Sequence, residues 1–480
     1  MGRMFAVVIL FFSLAGGLWV TSSRRAQAQI DSPEEKTPNR IVTERLITKI
    51  HPSWIRETLK VSPDNKRVAY VTQADNKKFV VVDGKEEKPY DGIMPGSPLF
   101  SPDSKRVAYA VHVLDYQRNN QFVVIDGKEG NQYYGVGQGS FTFSPDSKRV
   151  AHAALLANQW FAVVDGKEEK KYDGITQRTP IFSPDSRRVA YAAQMGDKAF
   201  VVVDGKEEKQ YDAIATGALI FSPDSKRVAY VAQAGDKWSV VVDGKEEKLY
   251  DGIATGTLIF SPDSNRVAYV AIVGNKLVVV VDRIEEKQYD ATTRGSPIFS
   301  PDSKRVVYAG HVDNKWSVVI DGKEEKYYDL VVSLAFSPDS KRVAYMARVD
   351  NKWFVVVDGK REKSYDGIDG GASIFSQNSR RVAYAARLEN KNFVVVDGKE
   401  GKPYDGIMPR TPIFSLDSRR VAYGAQVGNK KLVVIDRKEG KDYDDIVTDG
   451  GGKIIFDSPD SVHYLAVNAD NIFLVEERLK

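Results

Sequence analysis

The side chains best suited to chemistry recur on a fixed spacing. Arginine stands four residues after a proline slot in ten copies: Arg67, Arg106, Arg149, Arg188, Arg227, Arg266, Arg305, Arg342, Arg381 and Arg420. A ring of guanidinium groups would suit an anionic ligand. The same groups suit ion pairs with the aspartates of nearby turns, and the matched Asp supply favours that use. Aspartate follows the proline slot in most copies, as in Pro223-Asp224, and a second follows a repeated tyrosine, as in Tyr250-Asp251. Carboxylate arrays can hold calcium. No copy has the spacing of an EF-hand loop or of a Gly/Asp nonapeptide, and these positions are where turns need caps.

Histidine is scarce, with five in 480 residues. His112 and His311 share one repeat position, where other copies carry Gln73, Gln194, Gln233, Gln426, Arg348 or Arg387. That position ends the second strand of the unit. Its side chain is polar almost throughout while its type changes, so these eight residues form the candidate binding face. His152 replaces a tyrosine that recurs in nine copies seven residues after the proline slot. Recurring Tyr, with Trp160, Trp238, Trp316 and Trp353, could stack on a glycan, but periodic aromatics in repeats more often pack one unit on the next.

Composition narrows the chemistry. With no cysteine, disulfides, thiolate metal sites, iron–sulfur clusters and Cys nucleophiles are excluded. No metal or cofactor is expected. The net charge of +4 gives no reason to expect nucleic acid.

The repeat itself is the organising feature. The clearest copy is FSPDSKRVAYVAQAGDKWSVVVDGKEEKLYDGIATGTLI, residues 221–259. The motif serine falls at Ser62, Ser101, Ser144, Ser183, Ser222, Ser261, Ser300, Ser337, Ser376 and Ser415; seven of the nine intervals are 39 residues, the others 43 and 37. A period near 40 without helical patterning points to a β-propeller. Each unit reads as four strands: T-L-I-F, R-V-A-Y-V-A-Q, W-S-V-V-V and K-E-E-K-L-Y-D-G-I. The S-P-D-S turn joins the first pair and Asp-Gly the last, where both central residues can take positive φ. Charges at the start of the fourth strand keep an exposed edge from pairing with another chain.

Ten full units and a three-stranded remnant, residues 453–476, predict about eleven blades. Residues 41–50 would supply the last blade's missing strand and close the ring. Two tandem smaller propellers are the alternative, since propellers typically have four to eight blades.

Residues 1–28 have the layout of a signal peptide: Arg3, an apolar run from Met4 to Val20, then Ala26-Gln27-Ala28 as a small-x-small cleavage site. An uncleaved anchor is the competing reading, since Arg24 and Arg25 follow the apolar run. Without cysteine there is no lipid attachment. Removing this segment takes away three arginines and no acid, so the rest is close to neutral. Residues 29–41 read as a polar linker and 42–480 as the repeat domain.

The F-S-P-D-S-K-R-V-A-Y core resembles the repeat of TolB-like bacterial propellers, and also that of the propellers of dipeptidyl-peptidase-type enzymes. The match recurs over residues 55–465. It implies a propeller fold and is compatible with a periplasmic location. A TolB-like protein would carry a separate α/β domain, and a peptidase a G-x-S-x-G elbow; neither pattern occurs in the sequence.

Two functions are expected. The first is an exported, non-catalytic scaffold in the periplasm or outside the cell. It would bind protein or an envelope component through loops that vary between copies: Leu114 to Asn120, Met94 to Ser97, Thr176 to Thr179, Thr292 to Gly295 and Asp369 to Ala372. These loops are expected on one face or at the mouth of the channel. The second is a propeller lyase or hydrolase acting on a glycan or lactone, for which His112, His152 and His311 are the candidates.

Overall fold

The structure is a computed structural model that describes residues 40–115, 118–369 and 375–479. The expected signal peptide, and the expected linker up to residue 39, lie outside them. Eleven antiparallel sheets follow one another along the chain: residues 54–86 (blade 1), 92–129 (blade 2), 135–168 (blade 3), 174–207 (blade 4), 213–246 (blade 5), 252–289 (blade 6), 291–328 (blade 7), 330–361 (blade 8), 367–400 (blade 9), 406–443 (blade 10) and 445–479 (blade 11). Twelve apolar clusters bridge the sheets. Each joins two consecutive blades, and one joins Val447, Leu465 and Leu474 of blade 11 to Leu59, Val68 and Tyr70 of blade 1. The blades therefore form one ring rather than two.

Alternation in the second strand explains this stacking. In Val228–Ala234, Ala229 and Val231 pack with blade 6, while Val228, Tyr230 and Ala232 pack with blade 4. Successive side chains of a strand point to opposite faces, so a strand between two neighbours is apolar on both.

The ring is closed by the N-terminal strand. Arg40–Lys49 pairs antiparallel with Asn471–Leu479 and supplies the outermost strand of blade 11. The expected closure over residues 41–50 is thus present, and the strand opens two residues inside the segment read as linker. Beneath it, Arg40 Nη1 donates to Glu477 at 2.7 Å, with side chains 6% and 0% exposed.

The turns behave as their sequences dictate. Asp243 and Gly244 have φ of 51° and 73°, both left-handed, as a two-residue hairpin requires. In S-P-D-S, Ser222 Oγ donates to Asp224 at 2.6 Å and accepts the Arg227 amide at 2.9 Å. The last serine ties blades together: the Asp224 amide donates to Ser264 Oγ of blade 6 at 2.9 Å.

One assignment is corrected. The fourth strand does not run through Tyr-Asp-Gly-Ile. Gly252–Ile253 pairs with Val267–Val273 of the next sheet, so the chain changes blades at Asp251. The first strand of blade 6 is therefore split into Gly252–Ile253 and Ile259–Phe260, both on one partner. The two irregular intervals now have causes. The 43-residue copy lengthens a hairpin, Val107–Asp115 with Arg118–Ile125. The 37-residue copy lacks the split, and Leu330–Phe336 runs through with a bulge.

Candidate binding site

Each recurring arginine is a clamp between blades. Arg227 Nε donates to Asp243 at 2.8 Å in its own blade. Its Nη1 reaches the carbonyls of Ser264 and Asn265 in blade 6, at 2.9 and 3.2 Å. Its guanidinium carbon lies 5.2 Å from the centre of the Phe260 ring. All ten arginines pair with the aspartate of their own Asp-Gly or Asp-Arg turn. A guanidinium offers donors in several directions at once, which one clamp uses in full.

The tyrosines are packing elements. Tyr250 of blade 5 meets Tyr269 of blade 6 edge-on, with centroids 6.2 Å apart. Burial pushes the Tyr250 hydroxyl up to about 12, and the neighbouring Glu285 carboxylate adds to it. His152, in a tyrosine's place, is 8% exposed and meets Tyr133 edge-on at 6.0 Å. Burial lowers its pKa to about 4, so it is neutral at pH 7.

The eight candidate residues sit one to a sheet on eight blades. Six of them lie opposite the glycine or alanine that opens the first strand, as in Gly92 opposite His112 and Gly174 opposite Gln194, while Arg348 lies opposite Leu330. At five copies the side chain meets a group of the adjoining hairpin, although Gln73 precedes the same Asp-Asn turn as His311 and Arg348. Gln194, Gln233 and Gln426 donate through Nε2 to the carbonyls of Gly196, Gly235 and Gly428. Asp-Asn turns instead follow His311 and Arg348, which lie against Trp316 and Trp353 at 5.1 and 5.6 Å. Gln73 and Arg387 are exposed at the same place. The structure thus spreads these residues around the ring and gives five of them a local partner. Of the enzyme candidates, His112, His152 and His311 stand on blades 2, 3 and 7. Among the described residues, no group of three His, Cys, Asp or Glu is arranged to hold a metal.

In an antiparallel blade the turns between second and third strands share a face with the crossings between blades. A charged belt runs along it. Asp329 accepts Lys315 Nζ from the preceding hairpin at 2.6 Å and the Asp350 amide of the next at 2.9 Å. Eight such Lys–Asp pairs link successive blades. Their hydrogen bonds hold these carboxyls below the usual range; in Asp251 the Gly274 amide leads and Lys237 follows.

The belt breaks between blades 2 and 3, between blades 3 and 4, and at the seam of blades 11 and 1, where Asn471 stands at the lysine's position. Tyr134 replaces the crossing aspartate and is 42% exposed. Gln159 replaces the hairpin lysine, and Asp173 accepts only the Gly196 amide, at 2.7 Å. The lengthened hairpin of blade 2 presents Leu114, 64% exposed, on the same face. Sequence reading marked this hairpin and passed over Tyr134. The signal was available, because Tyr133-Tyr134-Gly135 departs from Tyr-Asp-Gly.

The other variable loops are placed differently than expected. Met94 to Ser97, Thr176 to Thr179 and Thr292 to Gly295 interrupt first strands. Clefts of about 400, 370 and 420 Å³ separate third and fourth strands from the next blade. These loops rise from the first-strand edge of the sheets, with tips such as Arg178, Arg294 and Arg410 exposed. Of Asp369 to Ala372, only Asp369 lies within the described residues.

These sheets and their closing strand decide the architecture. The chain is an eleven-bladed β-propeller. Its unit resembles the TolB-like repeat, as the F-S-P-D-S-K-R-V-A-Y core implied. No family model and no curated protein matches this propeller. Solved structures that resemble it include a eukaryotic initiation factor, at 17% identity over 67% of this chain and 91% of that one, with a TM-score of 0.41. TolB from Acinetobacter baumannii matches at 16% over 61% and 64%, with a TM-score of 0.23. Hydrazine synthase from Kuenenia stuttgartiensis matches at 13% over 54% and 95%, with a TM-score of 0.25. No helix among the propeller's described residues is long and apolar enough to cross a membrane.

Proposed function

We propose that this propeller is an exported, non-catalytic scaffold that binds a protein or envelope component through its hairpin face at blades 2 and 3. The observation that carries the reading is that the break in the Lys–Asp belt at blades 2 and 3 exposes Tyr134 and Leu114. Around most of the ring that face is covered by paired charges, which interact well with water. At blades 2 and 3 two charges are replaced by Tyr134 and Gln159, and Leu114 extends into solvent. Exposed aromatic and aliphatic side chains rimmed by polar groups are the usual anchors of a protein contact. Loops held by a rigid frame are also where binding residues gather.

The test compares the intact protein with a Leu114→Asp, Tyr134→Asp double variant in affinity capture from envelope fractions. The reading expects a partner retained by the first and lost by the second, with unchanged thermal unfolding. Equal retention by both would place the contact elsewhere, and no partner with turnover of a glycan or lactone would replace scaffold by enzyme.

A further inference from the structure

The fourth strand of most blades carries a glutamate that leans into the cleft toward the next blade. Glu247 of blade 5 accepts the Tyr269 hydroxyl of blade 6 at 2.9 Å and Arg283 Nε at 3.3 Å. Glu362 accepts Tyr384 in the same way at 2.9 Å. Other copies place their carboxylate beside the next blade's turn glycine. A Cβ on Gly127 would stand 3.2 Å from Glu87, and one on Gly244 3.2 Å from Glu208.

Three copies have glycine in place of this glutamate: Gly130, Gly401 and Gly440. At Gly440 another carboxylate moves in. Glu477 accepts the Tyr464 hydroxyl at 2.6 Å and Arg40 at 2.7 Å, and both side chains fill the space over the glycine. Between blades 5 and 6, and again between 10 and 11, tyrosine and arginine thus converge on one carboxylate.

Between blades 9 (367–400) and 10 (406–443) the receptor is present and the carboxylate is missing. Arginine replaces the turn glycine at only two points, Arg283 and Arg437. Arg283 meets Glu247; Arg437 faces Gly401. Tyr423, the counterpart of Tyr269, is buried, and its hydroxyl, like those of Tyr109, Tyr191, Tyr230 and Tyr308 at other interfaces, has no hydrogen-bond partner among the described residues; what sets this interface apart is Arg437 facing a glycine. That hydroxyl lies 3.7 Å from where a Cβ on Gly401 would stand. Gly401, Tyr423, Arg437 and Lys399 line an open cleft of about 400 Å³. The cleft's own carboxylates are committed elsewhere, Asp397 to Arg381 and Asp436 to Arg420, each at 2.8 Å. Among the described residues Arg437 and Lys399 have no ion pair.

We propose that this cleft is a binding site for a carboxylate borne by a small organic acid or by the free C-terminus of a peptide. The ligand's carboxylate takes the place that Glu247 holds at the equivalent interface. Tyr423 donates through its hydroxyl, Arg437 through its guanidinium, and Lys399 adds positive charge at the rim. Hydrogen bonds to an ionised acceptor are stronger than neutral ones and favour the carboxylate over its amide. The remaining volume accommodates the body of the ligand against Val394, Val396 and Val421.

The experiment titrates the propeller with acetate, succinate and benzoate and with their amides, followed by ligand-observed NMR and calorimetry. A second arm uses a short peptide with a free C-terminus and its C-terminal amide. The proposal expects one site that takes at least one carboxylate probe and rejects its amide. The arm that binds more tightly identifies the source. Gly401→Glu supplies the carboxylate from within. It keeps the Gly401-to-Val394 backbone bond, which matches that of Glu247 to Val240 at 2.9 Å. It should stay folded and lose binding at least about tenfold; Arg437→Gln should lose about as much, one charge-assisted bond being worth roughly that factor. Glu247→Gly should create a second site and raise the stoichiometry to two. No binding tighter than a Kd of about 10 mM by any probe, or unchanged binding by folded Gly401→Glu, would overturn the proposal.

Discussion

His112 lies across Gly92 so closely that a Cβ on the glycine would stand 2.2 Å from two atoms of the imidazole. The glycine that opens the first strand makes room for the polar residue opposite it. Because His112 is only half-buried, its ring can swing aside. Gly92→Ala should therefore cost about 1 kcal/mol, the scale of one off-rotamer side chain. Thermal unfolding measures it, and His112→Ala in the same chain should restore most of the loss.

Replacing Arg40 should cost far more. Glu477 is wholly buried, and Arg40 is its cation. Arg40→Met would leave that carboxylate facing Gly440 with only the Tyr464 hydroxyl. Breaking a buried pair by removing one partner costs about 3–5 kcal/mol. Denaturant unfolding of the variant should show that loss. A double variant with Glu477→Leu should recover part of it, since an apolar pair leaves no charge unpaired.

His152 sets an acid dependence. Its folded-state pKa is lowered to about 4 by burial, below the ordinary imidazole value of 6.5. Between those values the unfolded chain binds a proton that the folded chain refuses. Stability from this group is therefore full above pH 6.5 and declines as the pH falls toward 4. The drop amounts to about 3 kcal/mol, at 1.36 kcal/mol per pH unit. His152→Tyr, the residue of nine other copies, should flatten unfolding curves over that interval relative to the parent.

The clamps should be specific to arginine. In Arg227→Lys a single ammonium cannot reach both Asp243 and the two carbonyls of blade 6. These groups are partly exposed, which keeps the loss to about 1 kcal/mol. Arg227→Lys with Arg381→Lys should lose the sum, since the two clamps serve different interfaces. A loss well beyond the sum in thermal unfolding would mean that distant interfaces are coupled.

Much of the fold was legible because the chain repeats. The 39-residue period, S-P-D-S and Asp-Gly place the turns between first and second and between third and fourth strands, and the unpaired remnant at residues 453–476 calls for a closing strand near residue 41. The crossing at Asp251 was not legible. Gly252–Ile253 is too short to show a pattern, and its partner is in the next sheet. The site was harder still. Gly130, Gly401 and Gly440 stand out when copies are compared, yet nothing local says that the missing glutamate faces a tyrosine 22 positions onward. The arginines were read toward ion pairing because each has an aspartate within reach. The changing Gln, His and Arg position looked like recognition, whereas at several copies its side chain meets the hairpin beside it.

The clasp also fixes how the ring would respond to force. Arg40 is opposite Leu479 and Lys49 opposite Asn471, so the outer ends of the first and last strands leave the ring side by side. Tension applied between them would load the hydrogen-bonded pairs one after another, starting at Arg40, because these bonds lie across the strands. Such a closure opens like a zip rather than by shear. The Arg40–Glu477 pair sits at the pull end, where it is the first latch to be tested.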